Sequence, residues 1–220
     1  MSVLLAIDTS AGTSVALLRD GLVLAEVNLE NHMKHAENIG GAIATVLRDA
    51  GLAGIEVHRV IVGRGPAPFT GLRVGLAAAV MFAEGAGAKL AGVVSLDALA
   101  LSAISAGVVP SASKPLLVTT DARRGEVYWA LYSGLDRHGV PVRMQGPAVA
   151  KPGALAQLLS LEGLEPHTTV QAVTASALAE VALAQDAAGT LSGDVTALYL
   201  RAPDAVEPKS PGQFGKKVSS

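Results

Sequence analysis

The chain contains no cysteine. Disulfides, thiolate nucleophiles and Cys-ligated metals are thereby excluded. Aromatic residues make up only 3% of it, too few for a platform on which nucleic-acid bases stack. Charge is also scarce, at 16% of residues with a formal net charge of -2. A surface that grips a polynucleotide needs clustered Lys and Arg to neutralise phosphates, so the chain alone is not expected to hold nucleic acid. Long hydrophobic runs are missing too. MSVLLAID has no basic segment ahead of its apolar stretch, which stops at Asp8. The run from Val74 to Ala83 is shorter than the roughly 20 residues a bilayer requires. The expectation is a cytoplasmic chain with no membrane role.

What is present is apolar and small. Half of the 220 residues are hydrophobic, and much of that content is alanine and valine, suited to helices packed closely on sheets. Residues 3–7, 13–18 and 22–29 read as strands, with Asp20-Gly21 as a hairpin turn between the last two. A helix is expected from about His32 to Ala50, because Ile39, Ile43, Val46, Leu47 and Ala50 fall on one helical stripe, with Gly51 as its stop. Residues 59–63 read as a strand, 72–84 as a helix capped by Thr70, 90–94 as a strand and 95–106 as a helix capped by Ser95. This β-β-β-α-β-α-β-α order is ribonuclease H-like.

The second half restarts the pattern. Strands are expected at 116–120, 126–132, 142–149 and 168–173, and helices at 153–162 and 175–187. IDTSAGTSVALL and TDARRGEVYWALY share Asp-x-x-x-Gly followed by a strand. The fold class expected is therefore α/β and actin-like, with two ribonuclease H-like lobes, 1–106 and 107–200, the second truncated, and a tail at 201–220.

Two facing lobes that each begin with an Asp-bearing hairpin are the geometry of actin-like ATPases and sugar kinases. Asp8, Thr9 and Ser10 sit at the first turn and are candidates for a degenerate phosphate loop. The competing reading is that Thr9 and Ser10 satisfy the turn backbone and Asp8 stabilises it. A stand-alone ATPase or phosphotransferase would use Asp8 and Asp121, but no second glycine-rich segment appears late in the chain to hold adenosine. His32 and His35 could ligate a metal, yet only Glu37 lies near, so no metal site is expected. No nucleophile–base set is legible around Ser14, Ser95, Ser102 or His138. Tyr128, Trp129 and Tyr132 read as hairpin packing.

The most unusual stretch is VGRGPAPFTGLRVG at 62–75, a glycine-rich loop without the lysine of a P-loop. In the helix behind it, Leu72, Leu76, Ala79, Val80 and Ala83 would cover the sheet, while Val74, Ala77, Ala78 and Met81 point elsewhere and are apolar too. Either this second face meets a partner, or it is buried between the chain's own halves.

GRGPAPFTGLRVGLAAA resembles the signature loop of the bacterial TsaB (YeaZ) family, and LLAIDTS, KHAENI, VSLDALA, DARRGEVYWALY and LYLRAPDA are similar to the same family in order. Ala67-Pro68 replaces the Gly-Ser usual there, which stiffens the loop. The resemblance implies an actin-like fold with degraded nucleotide machinery, in a non-catalytic subunit of the complex that makes threonylcarbamoyladenosine in tRNA. It implies a heterodimer with the paralogue TsaD, which transfers the threonylcarbamoyl group, and the ATPase TsaE as a further partner. tRNA would be met through the complex only, no cofactor would be bound by this subunit alone, and ATP or ADP would belong at the TsaD interface. A homodimer is the alternative for the isolated chain. The expected interface comprises His35, Asn38, Ala42, Arg73, Val74, Ala77, Ala78 and Met81. His32-x-x-His35 is not the His-x-x-x-His metal motif of TsaD enzymes.

Overall fold

A computed structural model describes residues 2–29, 35–169 and 172–201. The expected helix start at His32 and the expected tail beyond residue 201 lie outside the described residues. Strands β1 (Val3–Asp8), β2 (Thr13–Arg19), β3 (Leu22–Leu29), β4 (Arg59–Gly63) and β5 (Lys89–Val93) form a sheet in the order β3-β2-β1-β4-β5. The central β1 runs antiparallel to β2, with Ile7 opposite Val15, and parallel to β4, with Ile7 opposite Val62. It is buried on both faces, which is why VLLAI is apolar without alternation. The β2–β3 turn takes φ of 50° at Asp20 and 84° at Gly21, the left-handed pair that a two-residue hairpin needs.

The second sheet repeats this order and stops early. Strands β6 (Leu116–Arg123), β7 (Glu126–Leu135), β8 (Pro141–Ala150) and β9 (His167–Thr169) lie as β8-β7-β6-β9, with β6 and β9 parallel. The order matches the first sheet without its fifth strand. The actin-like expectation of two related halves, the second truncated, is thereby met.

Helices α1 (His35–Asp49) and α2 (Phe69–Ala86) cover one face of the first sheet, where Ile39, Ala42, Val46, Ala79 and Ala83 pack on Leu5, Ile7, Val15, Leu17, Val60 and Val62. Helix α3 (Ser95–Ser105) lies on the other face, between the two sheets. Helix α4 (Pro152–Leu161) covers the outer face of the second sheet, with Leu155 and Leu159 against Leu117, Trp129 and Leu131. Helix α5 (Ala175–Ala187), grouped by sequence with the second lobe, packs instead beside α3 on β1, β2 and β4. Its N-terminus is fastened there: Ala175 N–H donates to Ser14 Oγ at 2.7 Å and Ser176 N–H to Glu26 at 2.9 Å. Local pattern showed a helix but not which sheet it would cover.

Two boundaries shift for a physical reason. Helix α2 begins at Phe69 with Pro68 as its cap, and Thr70 already lies in the first turn. Ser95 is the first residue of α3 and does not cap it, because its hydroxyl is used elsewhere.

The lobes are joined by a buried ion pair. Asp97, in the first turn of α3, accepts the Tyr132 hydroxyl at 2.7 Å and the Arg143 guanidinium at 2.7 Å on each carboxylate oxygen. Burial pushes the Asp97 carboxyl above its usual range, opposed by the Arg143 charge and by hydrogen bonds from Arg143 and Tyr132. Removing one member of such a pair strands the other. Asp97→Ala is expected to cost roughly 3–5 kcal/mol in urea unfolding. Arg143→Met, Asp97→Leu and Tyr132→Phe together should recover much of it, since apolar replacement of the whole cluster removes both charges and leaves no buried hydroxyl without an acceptor.

Candidate functional site

The first turn, the glycine-rich loop and the start of α3 meet at Asp8. One carboxylate oxygen accepts Ser10 N–H at 2.7 Å and the Ser10 hydroxyl at 2.5 Å, and the other accepts the Ser95 hydroxyl at 2.6 Å. The Ser95 hydroxyl in turn accepts Gly65 N–H at 3.2 Å, so Asp8 is tied to the loop through Ser95. Thr9 donates to the Gly71 carbonyl at 2.9 Å. The sequence candidates Asp8, Thr9 and Ser10 are thus brought together, but Asp8 is 1% exposed and all three side chains face inward. Asp8 stabilises the turn through Ser10 N–H, whereas the Thr9 hydroxyl reaches across to the Gly71 carbonyl in α2.

This packing explains two glycines of the loop. A Cβ at Gly63 would collide with Asp8 Oδ2, and one at Gly75 with Thr9 Oγ1. Gly65 takes a φ of 88°, which favours glycine.

Asp121 has 64% of its side chain exposed and pairs with Arg123 of its own turn at 3.2 Å. Between the two Asp-bearing turns lies a cavity of only about 60 Å³, lined by Ser10, Ala11, Pro68, Asp121 and Arg123. Small-molecule sites usually enclose about 300 Å³ or more. A larger cavity of about 650 Å³ lies elsewhere, between α4 and the second sheet, lined by Leu117, Val127, Leu155 and Leu159 among others. Among the described residues no group of three His, Asp or Glu could hold a metal. His32 lies outside the described residues.

The loop is strapped from outside by residues 190–201, which sequence reading did not connect to it. Gly92 N–H donates to the Ser192 carbonyl at 3.1 Å and Leu198 N–H to the Arg64 carbonyl at 2.8 Å. Arg64 pairs with Asp194 at 2.8 Å and donates to the Thr196 carbonyl at 2.9 Å. Tyr199 packs on Phe69 with ring centroids 4.8 Å apart, and its hydroxyl accepts Arg73 Nε–H at 2.9 Å. The Arg73 guanidinium lies 3.5 Å over the Phe69 ring. Arg201 then donates to the Ala122 carbonyl at 3.0 Å, reaching the second lobe. The only earlier signal was the Tyr in LYLRAPDA, a large aromatic in a chain poor in them.

The outer face of α2 is open. Ala77, Val80 and Met81 are exposed, Met81 by 72%. Own-half burial of this face is excluded, since α3 and α5 fill the space between the lobes. Val80, assigned by sequence to the sheet, belongs to this outer face. Val74 and Ala78 are half-buried against the core, as is Asn38. Ala42 corrects the expected interface: at 3% exposure it lies in the chain's own core under β2. His35 opens α1, and its side chain is outside the described residues. The open residues of α1 are Ala36, Glu37, Gly40, Gly41, Ala44, Arg48 and Asp49, none of which the expected interface included. Helix α2 is long and apolar enough to cross a membrane, but Leu72, Gly75, Ala79 and Ala83 are packed on the sheet.

The family model described as TsaD, tRNA N6-adenosine threonylcarbamoyltransferase, matches residues 23–206. An uncharacterized protein of Mycobacterium leprae is 36% identical over 225 residues, covering 93% of this chain and 56% of that protein. The Escherichia coli tRNA threonylcarbamoyladenosine biosynthesis protein TsaB is 35% identical over 150 residues, covering 68% of this chain and 62% of that protein. The chain thus spans less than two thirds of the length of these two relatives. The solved structure of YeaZ from Pseudomonas aeruginosa superposes with a TM-score of 0.72 at 26% identity, covering 91% of this chain and all of that one.

Two outcomes test the Asp8 cluster. Gly63→Ala should destabilise by about 2 kcal/mol or more through overpacking, and most of that cost should vanish in an Asp8→Ala background, read as coupling in a double-mutant cycle. Burial also raises the Asp8 carboxyl above its ordinary range, against the hydrogen bonds from Ser10 and Ser95. A carboxyl raised on folding favours the native state most at low pH, and that advantage is lost as pH rises through its folded value. Asp8→Asn should therefore gain stability relative to wild type as pH rises from the ordinary aspartate range toward neutrality, measured by urea unfolding across that window.

Proposed function

The chain belongs to the TsaB (YeaZ) family, and on that premise we propose that it is a non-catalytic subunit in the making of threonylcarbamoyladenosine in tRNA. Its role is to pair with TsaD, the transferase paralogue, and to support transfer of the threonylcarbamoyl group. TsaE joins the pair, tRNA is met through the assembled complex, and the setting is the cytoplasm. Any ATP or ADP belongs to the TsaD interface and not to this chain alone.

The observation that carries this reading is the open apolar face of α2, with exposed small residues on α1. Asp8 accepts three hydrogen bonds within the chain, and the cavity between the two Asp-bearing turns is about 60 Å³. Met81, Val80 and Ala77 are exposed on α2, and Gly40 and Gly41 are exposed on α1, where an added Cβ would meet nothing within 4 Å. Small residues let a partner helix come close, and an apolar surface of this kind favours a partner. In the absence of TsaD, a second copy of the chain is expected on the same face. The competing reading, a stand-alone ATPase using Asp8 and Asp121, requires the cleft to open and Asp8 to leave three hydrogen bonds.

Ala77→Glu tests the pairing. The exposed position and the helix propensity of Glu leave the fold intact. An unpaired charge in a dry interface costs roughly several kcal/mol, against about 8 kcal/mol for a micromolar complex. The mutant should melt like wild type and fail to co-elute with TsaD on a sizing column. The purified wild-type chain should release no phosphate from ATP. Turnover abolished by Asp8→Asn would favour the ATPase reading instead.

A further inference from the structure

We infer that the strap at residues 190–201 opens as one unit while both lobes stay folded, and that its opening uncovers the outer edge of the first sheet. The inference concerns the chain alone and does not rest on the proposed pairing. Strand β5 ends the first sheet in the order β3-β2-β1-β4-β5. An edge strand presents unpaired N–H and C=O groups to whatever comes beside it. Here the strap lies on that edge. Gly92 N–H meets the Ser192 carbonyl at 3.1 Å in an antiparallel bridge, and Leu198 N–H meets the Arg64 carbonyl at 2.8 Å. The seat is close: a Cβ at Gly92 would collide with the Asp194 carbonyl and with the Arg64 side chain. Glycine at this position lets Arg64 and the strap lie flat on β5.

Water reaches most of what holds the strap down. Every residue from Gly189 to Arg201 is exposed or half-buried. Leu191 and Val195 are its half-buried contacts with the cores of the first lobe. The Asp194 carboxylate that pairs with Arg64 has 48% of its side chain exposed. Few buried apolar contacts and exposed hydrogen bonds mark a segment that opens at lower free energy than the whole fold. Strand β1, buried along its full length, is the opposite case. The root of the strap is fixed separately, where Arg59 pairs with Asp186 in the last turn of α5 at 2.8 Å. Beyond that root the chain turns at Gly189 with a φ of 71°, and an added Cβ there would meet nothing within 4 Å. The pivot is therefore unobstructed. Beneath the strap the glycine-rich loop keeps its own ties, Gly65 N–H to the Ser95 hydroxyl and Arg64 N–H to the Val93 carbonyl. Opening thus frees the Gly92 N–H and the Arg64 carbonyl without melting the loop. The same motion takes Tyr199 from Phe69 and Arg73, and Arg201 from the Ala122 carbonyl of the second lobe.

Native-state hydrogen exchange of the full chain, read amide by amide by NMR, tests this device. The Gly92 and Leu198 N–H groups report on the two backbone ties. Both should show one common opening equilibrium, at least about a hundredfold more open than the amides of β1. Asp194→Ala, at an exposed site, should raise the opening of both about fivefold and leave β1 unchanged. Gly92→Ala should raise the opening at Leu198 by at least about tenfold relative to β1 in the same variant, because the added methyl displaces the Asp194 carbonyl. Exchange of Gly92 and Leu198 at the β1 level, or at two unrelated levels, would overturn the single unit. An Asp194→Ala chain in which β1 opens as much more as the strap does would overturn it too, since the strap would then belong to the global fold. A Gly92→Ala chain with Leu198 protected as in wild type would refute the seat on β5.

Discussion

The lobes of this fold keep their relative position because Asp97, Arg143 and Tyr132 share one buried site. Asp97 stands at the entrance of α3, the helix that follows the last strand of the first sheet. Arg143 and Tyr132 come from adjacent strands of the second sheet. Each partner answers a need of the others: a buried carboxylate must be neutralised, a guanidinium must be held in plane, and a buried phenol must find an acceptor. With that site formed, the Asp-bearing turns face each other across a cavity of about 60 Å³. The arrangement favours one lobe orientation over the hinged opening of an actin-like enzyme.

Most of the architecture was legible in residue patterns because the sheets impose a simple period. The doubly buried β1 had to be continuous in apolar residues, and Asp20-Gly21 could hardly be anything but a hairpin turn. The repeat of Asp-x-x-x-Gly before two strands revealed the duplication. The remainder was illegible because it depends on contacts distant in sequence. Nothing in ASALAEVALAQDA says that it will cover the first sheet, since an alanine-rich helix fits many surfaces. Ser95 has the chemistry of a cap and was read as one, yet it serves a carboxylate 87 residues away. Val80 was placed inward by a pattern in which every side was apolar, so periodicity had little contrast to work with.

At the candidate site, the structure brings Asp8, Thr9 and Ser10 together and buries them. Asp8, Thr9 and Ser10 cluster as an ancestral phosphate turn would, but their hydrogen bonds run to Ser95 and Gly71 within the chain. The glycine-rich loop has changed meaning with them: Gly63 and Gly75 are small so that Asp8 and Thr9 can lie against them.

The strap at residues 190–201 has a consequence for the order of synthesis. A ribosome delivers the two sheets long before Tyr199, so the nascent chain can assemble most of its strands while α5 and the strap are still unmade. Until they emerge, one side of the first sheet lacks its last helix and Arg73 lacks Tyr199. The glycine-rich loop is then completed by residues translated roughly 120 to 130 positions after it. A truncated product would carry the whole of α1 and α2 and still lack the strap that holds Arg64 and Arg73.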